Sequence, residues 1–101
     1  MIELSESMFE EAIKLSPVVL VEFGAVWCAP CKVMEPLLVD LEKTLDGSCK
    51  IYKVDVDKAK GLKGKFNIKG VPLFILFKDG VEVKRATGSM SKARLTEFVK
   101  I

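Results

Sequence analysis

Apolar runs alternate along this chain with mixed stretches of helical period. Ile2–Leu4 reads as a short edge strand. Ser5 and Ser7 are candidate N-caps, and Ser7 with Glu10 has the spacing of a capping box. The helix they introduce should reach about Leu15, with Phe9, Ala12 and Ile13 on one side, before Ser16-Pro17 ends it. Val18–Phe23 is nearly continuous, apolar and β-branched, as a strand covered on both faces must be. A second helix should begin near Cys28–Pro30 and run to about Leu45, because Met34, Leu37, Leu38, Leu41 and Leu45 recur at helical spacing. Pro36 removes one donor inside it and predicts a kink, and Asp46-Gly47 stops it.

Lys50–Val56 is the next strand. Ala59, Leu62 and Phe66 fit one face of a short helix weakened by Gly61 and Gly64. Leu73–Phe77 is a strongly apolar strand, Asp79-Gly80 a hairpin turn, and Val81–Arg85 its alternating partner. Ser91 caps a last helix bearing Leu95, Phe98 and Val99. The order β-α-β-α-β-α-β-β-α predicts an α/β fold, a mixed sheet with helices on both faces. Residues 1–101 are expected to form one domain, since the chain has neither a long linker nor an internal repeat.

Composition narrows the chemistry. There is no histidine. A Ser-His-Asp triad, a Cys-His pair, a histidine-ligated zinc and an imidazole base are therefore excluded, and Cys, Lys, Asp or Glu must carry any catalysis. The three cysteines are too sparse for a secreted disulfide scaffold, and the odd number leaves one unpaired. Net charge is only +2, but residues 1–49 balance to −6 and residues 50–101 to +8. Lys58, Lys60, Lys63, Lys65 and Lys69 form a basic run with no acid among them. Without an aromatic ladder beside it, this reads as a solvated helix face rather than a nucleic-acid footprint. The longest apolar runs fall far short of the roughly 20 residues of a membrane span. The acidic, amphipathic start lacks the basic and apolar regions of a signal peptide, so the expected location is cytoplasmic.

The informative segment is Trp27-Cys28-Ala29-Pro30-Cys31-Lys32, where a buried strand hands over to a helix. Backbone N–H groups at a helix start lack partners and, with the helix dipole, stabilise an anion. The Cys28 thiol should therefore ionise more readily than usual. Cys31 lies one turn on, so the two sulfurs can meet and the spacing permits a disulfide. Pro30 suits the first turn, where its missing N–H costs nothing. Cys28 would attack a partner's disulfide, and Cys31 would then attack Cys28 and release the reduced partner. A structural zinc needs four Cys or His ligands, and only Cys49 remains beyond this pair. A cluster shared between two chains through four thiolates is the other metal alternative. Glu22 is the lone charge within Val18–Phe23. Burial there would raise its pKa and a nearby lysine would lower it, unless it lies in solvent at the sheet's end.

WCAPCK following VVLVEF, VDVD downstream, and IKGVPLFILFKDG in turn resemble the thioredoxin family in order and spacing across essentially the whole chain. The resemblance implies a thioredoxin fold with a central mixed sheet of four to five strands. It implies a protein-disulfide reductase with Cys28–Cys31 as its redox-active disulfide and no bound cofactor. Reducing equivalents would come from a separate thioredoxin reductase, linked to NADPH or ferredoxin, and the substrates would be protein disulfides. No nucleic acid or membrane partner is implied, and a monomer is expected. Pro72 matches the family's cis-proline, and Val71 the residue whose backbone pairs with an extended substrate. Trp27, Gly70, Val71, Pro72 and Gly88 would line the docking groove. Glu22 stands where the family usually has Asp, and Lys53 matches a lysine on the neighbouring strand. Their implied role is proton transfer from Cys31, with the added methylene of Glu22 changing its reach.

Other departures bear on partner choice. Ala29 replaces the usual Gly between the cysteines. Gly24 replaces a frequent aromatic, which predicts a looser floor, and Leu73 replaces Thr, which predicts a more apolar groove wall. These favour, as an alternative, a specialised oxidoreductase with few clients. A redox-independent binding subunit is a further alternative, against which the intact WCAPC argues. Cys49 reads as a small buried hydrophobe, against a regulatory thiol or an intermolecular disulfide.

Overall fold

The computed structural model describes all 101 residues. Five strands form one sheet in the order β1-β3-β2-β4-β5, with β1 Ile2–Glu3, β2 Val18–Gly24, β3 Lys50–Asp55, β4 Leu73–Lys78 and β5 Val81–Thr87. β3 runs parallel to both β1 and β2, whereas β4 is antiparallel to β2 and β5. The helices are α1 Glu6–Ala12, α2 Ala29–Leu45, α3 Lys60–Lys65 and α4 Lys92–Phe98.

Side-chain alternation sorts the core into two layers. Val19, Val21 and Phe23 of β2 point to one face, where Phe9, Ala12 and Ile13 around α1 and Leu62 of α3 cover them. Leu20 points to the other face, with Ile51, Phe74 and Leu76, under Met34, Leu38 and Leu41 of α2 and Leu95 of α4. β2 and β4 are therefore buried on both sides, which is why their sequences are unbroken apolar runs. β5 lies at the sheet edge and alternates exposed with half-buried positions.

The termini of the elements explain where the chain departs from expectation. Ser5, in extended conformation, is the N-cap of α1, and Ser7 lies inside the helix. With Ser7 inside the helix no Ser7–Glu10 capping box forms, and Glu10 reaches across to Lys65. α1 stops at Ala12 rather than Leu15, because Lys14 and Leu15 donate to the carbonyls three residues back and tighten the last turn. α2 continues through Pro36 and ends at Asp46, which takes the left-handed conformation at φ 48° ahead of Gly47 at φ 85°. Asp79 and Gly80, both at positive φ, close the β4–β5 hairpin as a two-residue turn of that hand requires. Ser91 caps α4 by accepting from the Arg94 N–H. No helix is long and apolar enough to cross a membrane.

Candidate active site

The candidate residues gather at one end of the sheet, where β2 and β3 finish and β4 starts. Ala25–Trp27 carries the chain from β2 to α2, and Cys28 is the N-cap of that helix. Cys28 and Cys31 are joined as a disulfide, with Cα atoms 5.3 Å apart. The Cys31 N–H donates to Cys28 Sγ at 3.2 Å. One of the helix's unpaired donors is thus aimed at this sulfur. Pro30 occupies the first turn of α2, where no backbone donor is needed. Cys28 and Cys31 are 4% and 5% exposed, so residue burial does not distinguish them and the helix start does.

Beneath Cys31, β2 comes very close. A Cβ added at Gly24 would lie 3.0 Å from Cys31 Sγ, so the missing side chain gives this sulfur its seat. The floor at that point is close-fitting rather than loose. Beside it a cavity of about 320 Å³ is lined by Cys31, Glu22, Lys53 and Glu35 among others. Glu22 shares the parity of Leu20 and so faces α2, in register with Lys53 on β3. It is 2% exposed, which removes the solvent-exposed reading, and its Oε2 has no hydrogen-bond partner. Burial raises its pKa to about 7; Glu35 adds to the rise and Lys53 opposes it. Lys53 Nζ instead donates to Glu35 Oε1 at 2.8 Å.

Around the rim, the Val71-Pro72 peptide is cis. Pro72 is buried, and its carbonyl accepts the Gly88 N–H at 2.8 Å, with Gly88 at φ 100°. Gly70 faces Thr87, whose Cγ2 would lie 3.6 Å from a Cβ there. Val71 is half-buried. Trp27 is 69% exposed and donates its indole N–H to Asp57 at 2.8 Å. Leu73 turns inward with Phe23 and Ile75 and does not wall the groove, because its place in β4 points it into the α1 layer. Cys49 is a buried free thiol, pushed up to about 11 by burial.

Two contributors escaped the sequence reading. Glu35 lies four residues after Cys31 on α2, a spacing that puts it on the same helix face. Asp57 belongs to the VDVD stretch, where Asp55 accepts the Asp57 N–H and shapes the turn toward Trp27.

A family model described as thioredoxin matches residues 1–101. A thioredoxin of Staphylococcus saprophyticus is 37% identical over 99 residues, covering 98% of this chain and 94% of its own. A solved structure of Plasmodium falciparum thioredoxin is 30% identical with a TM-score of 0.90, covering 98% of this chain and 96% of its own. A mutant thioredoxin from Halobacterium salinarum also superposes with a TM-score of 0.90, at 27% identity, covering 97% of this chain and 86% of its own. Whole-length similarity and a paired C-x-x-C at a helix start agree, and the chain belongs to the thioredoxin family: a thiol–disulfide oxidoreductase with a redox-active disulfide and no bound cofactor, acting on protein substrates with a reductase as its partner.

Proposed function

We propose that Cys28 is the attacking sulfur, Cys31 the resolving one and Glu22 the group that takes the Cys31 proton. The carrying observation is the Cys31 N–H directed at Cys28 Sγ, a fixed donor that favours a thiolate at Cys28 over one at Cys31. In the reduced protein, Cys28 thiolate attacks a client disulfide. A Cys28–client bond forms, the client bond breaks, and one client thiolate leaves. Cys31 passes its proton to Glu22 and attacks Cys28 Sγ. The Cys28–client bond breaks, the second client thiolate leaves, and Cys28–Cys31 remains oxidised, two electrons having passed to the client.

Trp27, Gly70, Val71, Pro72 and Gly88 form the docking rim in this reading, with the Val71 backbone open to an extended client segment. The Asp57 acceptor supports it by holding Trp27 in one orientation at the surface. A general cytoplasmic reductase acting as a monomer, and recharged by an NADPH- or ferredoxin-linked reductase, is the form proposed.

Trapping tests the assignment. Cys31→Ser exposed to a cell extract should accumulate proteins held on Cys28 by mixed disulfides, whereas Cys28→Ser should hold none there. Many unrelated captures fit a general reductase, and one or two fit a dedicated enzyme. Captures on Cys31 in the Cys28→Ser protein at an equal rate would refute the division of roles, and captures there alone would reverse it. Glu22→Gln should slow release of the mixed disulfide, and an unchanged release rate from about pH 6 to about pH 9 would remove Glu22 from the mechanism.

A further inference from the structure

The cavity behind Cys31 holds more charge than a carboxylate and a lysine. Glu22 lines it together with Lys53 and Asp55 from β3, Glu3 from β1, and Lys32 and Glu35 from α2. On β4 the register partner of Glu22 is the uncharged Phe74. Lys53 is the cation in register with Glu22 on the adjacent strand, the position from which an ammonium would most directly neutralise it. Yet Lys53 Nζ is bonded to Glu35 at 2.8 Å, and Glu22 Oε2 is left without a partner. The Lys53–Glu35 pair is about one-third exposed, at 33% and 40%, so it keeps water contact that Glu22 lacks. One lysine thus stands between two carboxylates and is held by the wetter of them.

We propose that Glu35 is a positioning residue for the proton acceptor: by clamping Lys53 to α2 it withholds that cation from Glu22 and so sets the protonation state in which Glu22 meets Cys31. Two effects act in the same direction. The Glu35 carboxylate repels charge on Glu22, and its hold on Lys53 denies Glu22 a counter-ion. Burial, Glu35 and Lys53 are the influences on Glu22, with Glu35 raising and Lys53 lowering its pKa. Glu35 is hydrogen-bonded to Lys53 and not to either sulfur, and it acts through Lys53 and Glu22. The inference rests on the proton-acceptor role proposed above for its catalytic meaning, but not for its geometry.

Carbon-13 NMR of the side-chain carboxyls in the full oxidised protein separates the two. Glu22 is assigned by the signal missing in Glu22→Gln. Glu35→Gln should lower the Glu22 midpoint by about one pH unit, since an unpaired lysine is then free to turn to it. Lys53→Met should raise it. In the Lys53→Met background, Glu35→Gln should have less than about half its effect, because no lysine remains to be released. An unmoved midpoint in Glu35→Gln overturns the proposal. An equal drop with and without Lys53 also overturns it, since Glu35 would then act by charge alone. The rising limb of mixed-disulfide release against pH should move down with the Glu22 midpoint. A Glu22→Gln profile identical to the parent's would sink the proton-acceptor role and leave the NMR result to decide the clamp.

Discussion

Glu22→Gln should change how stability depends on pH, and the size of the change follows from where Glu22 sits. The side chain is 2% exposed, and its carboxyl is raised from 4.5 to about 7. In the unfolded chain it ionises near the ordinary glutamate value. Between those two pH values the folded state binds a proton that the unfolded state has released, so stability falls as pH rises. Each pH unit of separation corresponds to about 1.4 kcal/mol. The full separation gives about 3 kcal/mol, of which roughly 2.5 kcal/mol lies between about pH 5 and about pH 8. Glutamine carries no charge at either end. Urea denaturation of both oxidised proteins at the two pH values is the assay, because the difference between them cancels the titrating groups that Glu22 does not influence. Glu22→Gln should gain about 2.5 kcal/mol on the parent in going from the acid to the alkaline condition. A constant difference would mean that Glu22 titrates as an ordinary surface carboxylate, and the buried, unpartnered placement would be wrong.

The remaining expectations concern packing and thiols. Phe9 is fully buried and lies 5.4 to 6.0 Å, ring to ring, from Phe66, Phe77 and Phe23. Phe9→Ala should cost about 3–5 kcal/mol by chemical denaturation, and a cost below about 1 kcal/mol would contradict this packing. Gly24→Ala places a methyl 3.0 Å from Cys31 Sγ and should cost the oxidised protein about 1–2 kcal/mol; unchanged stability would show that the sulfur's seat yields freely. Cys49 is the one free thiol of the oxidised protein, and burial pushes it up to about 11. A thiol reagent near neutral pH should modify it at least about tenfold faster in urea than in the folded state, and equal rates would show that the α2–α4 layer opens readily.

Local pattern and long-range packing contributed different things. Strand and helix order, the double-sided burial of Val18–Phe23 and the C-x-x-C at a helix start are written in neighbouring residues. Hydrophobic period and unpaired helix donors act over one or two turns, so they need no fold to be read. The Ser7–Glu10 box does not form because the N-cap of the helix is Ser5 rather than Ser7, and Glu10 pairs with Lys65, 55 residues away along the chain. Leu73 points inward and not into the groove wall, because inward or outward aim at a strand's first residue depends on its register with Phe23 and Thr87.

The sequence by itself determined that a dithiol, with no histidine to assist it, would sit where a buried strand meets a helix, and that one glutamate would interrupt that apolar strand. Only the tertiary structure decided what that glutamate meets. Register set Lys53 beside it, the turn of α2 brought Glu35 over both, and the lysine bonded to the carboxylate that kept its contact with water. Charge pairing in a low-dielectric cavity depends on distances of a few ångströms between three separate elements, and no local pattern encodes those distances.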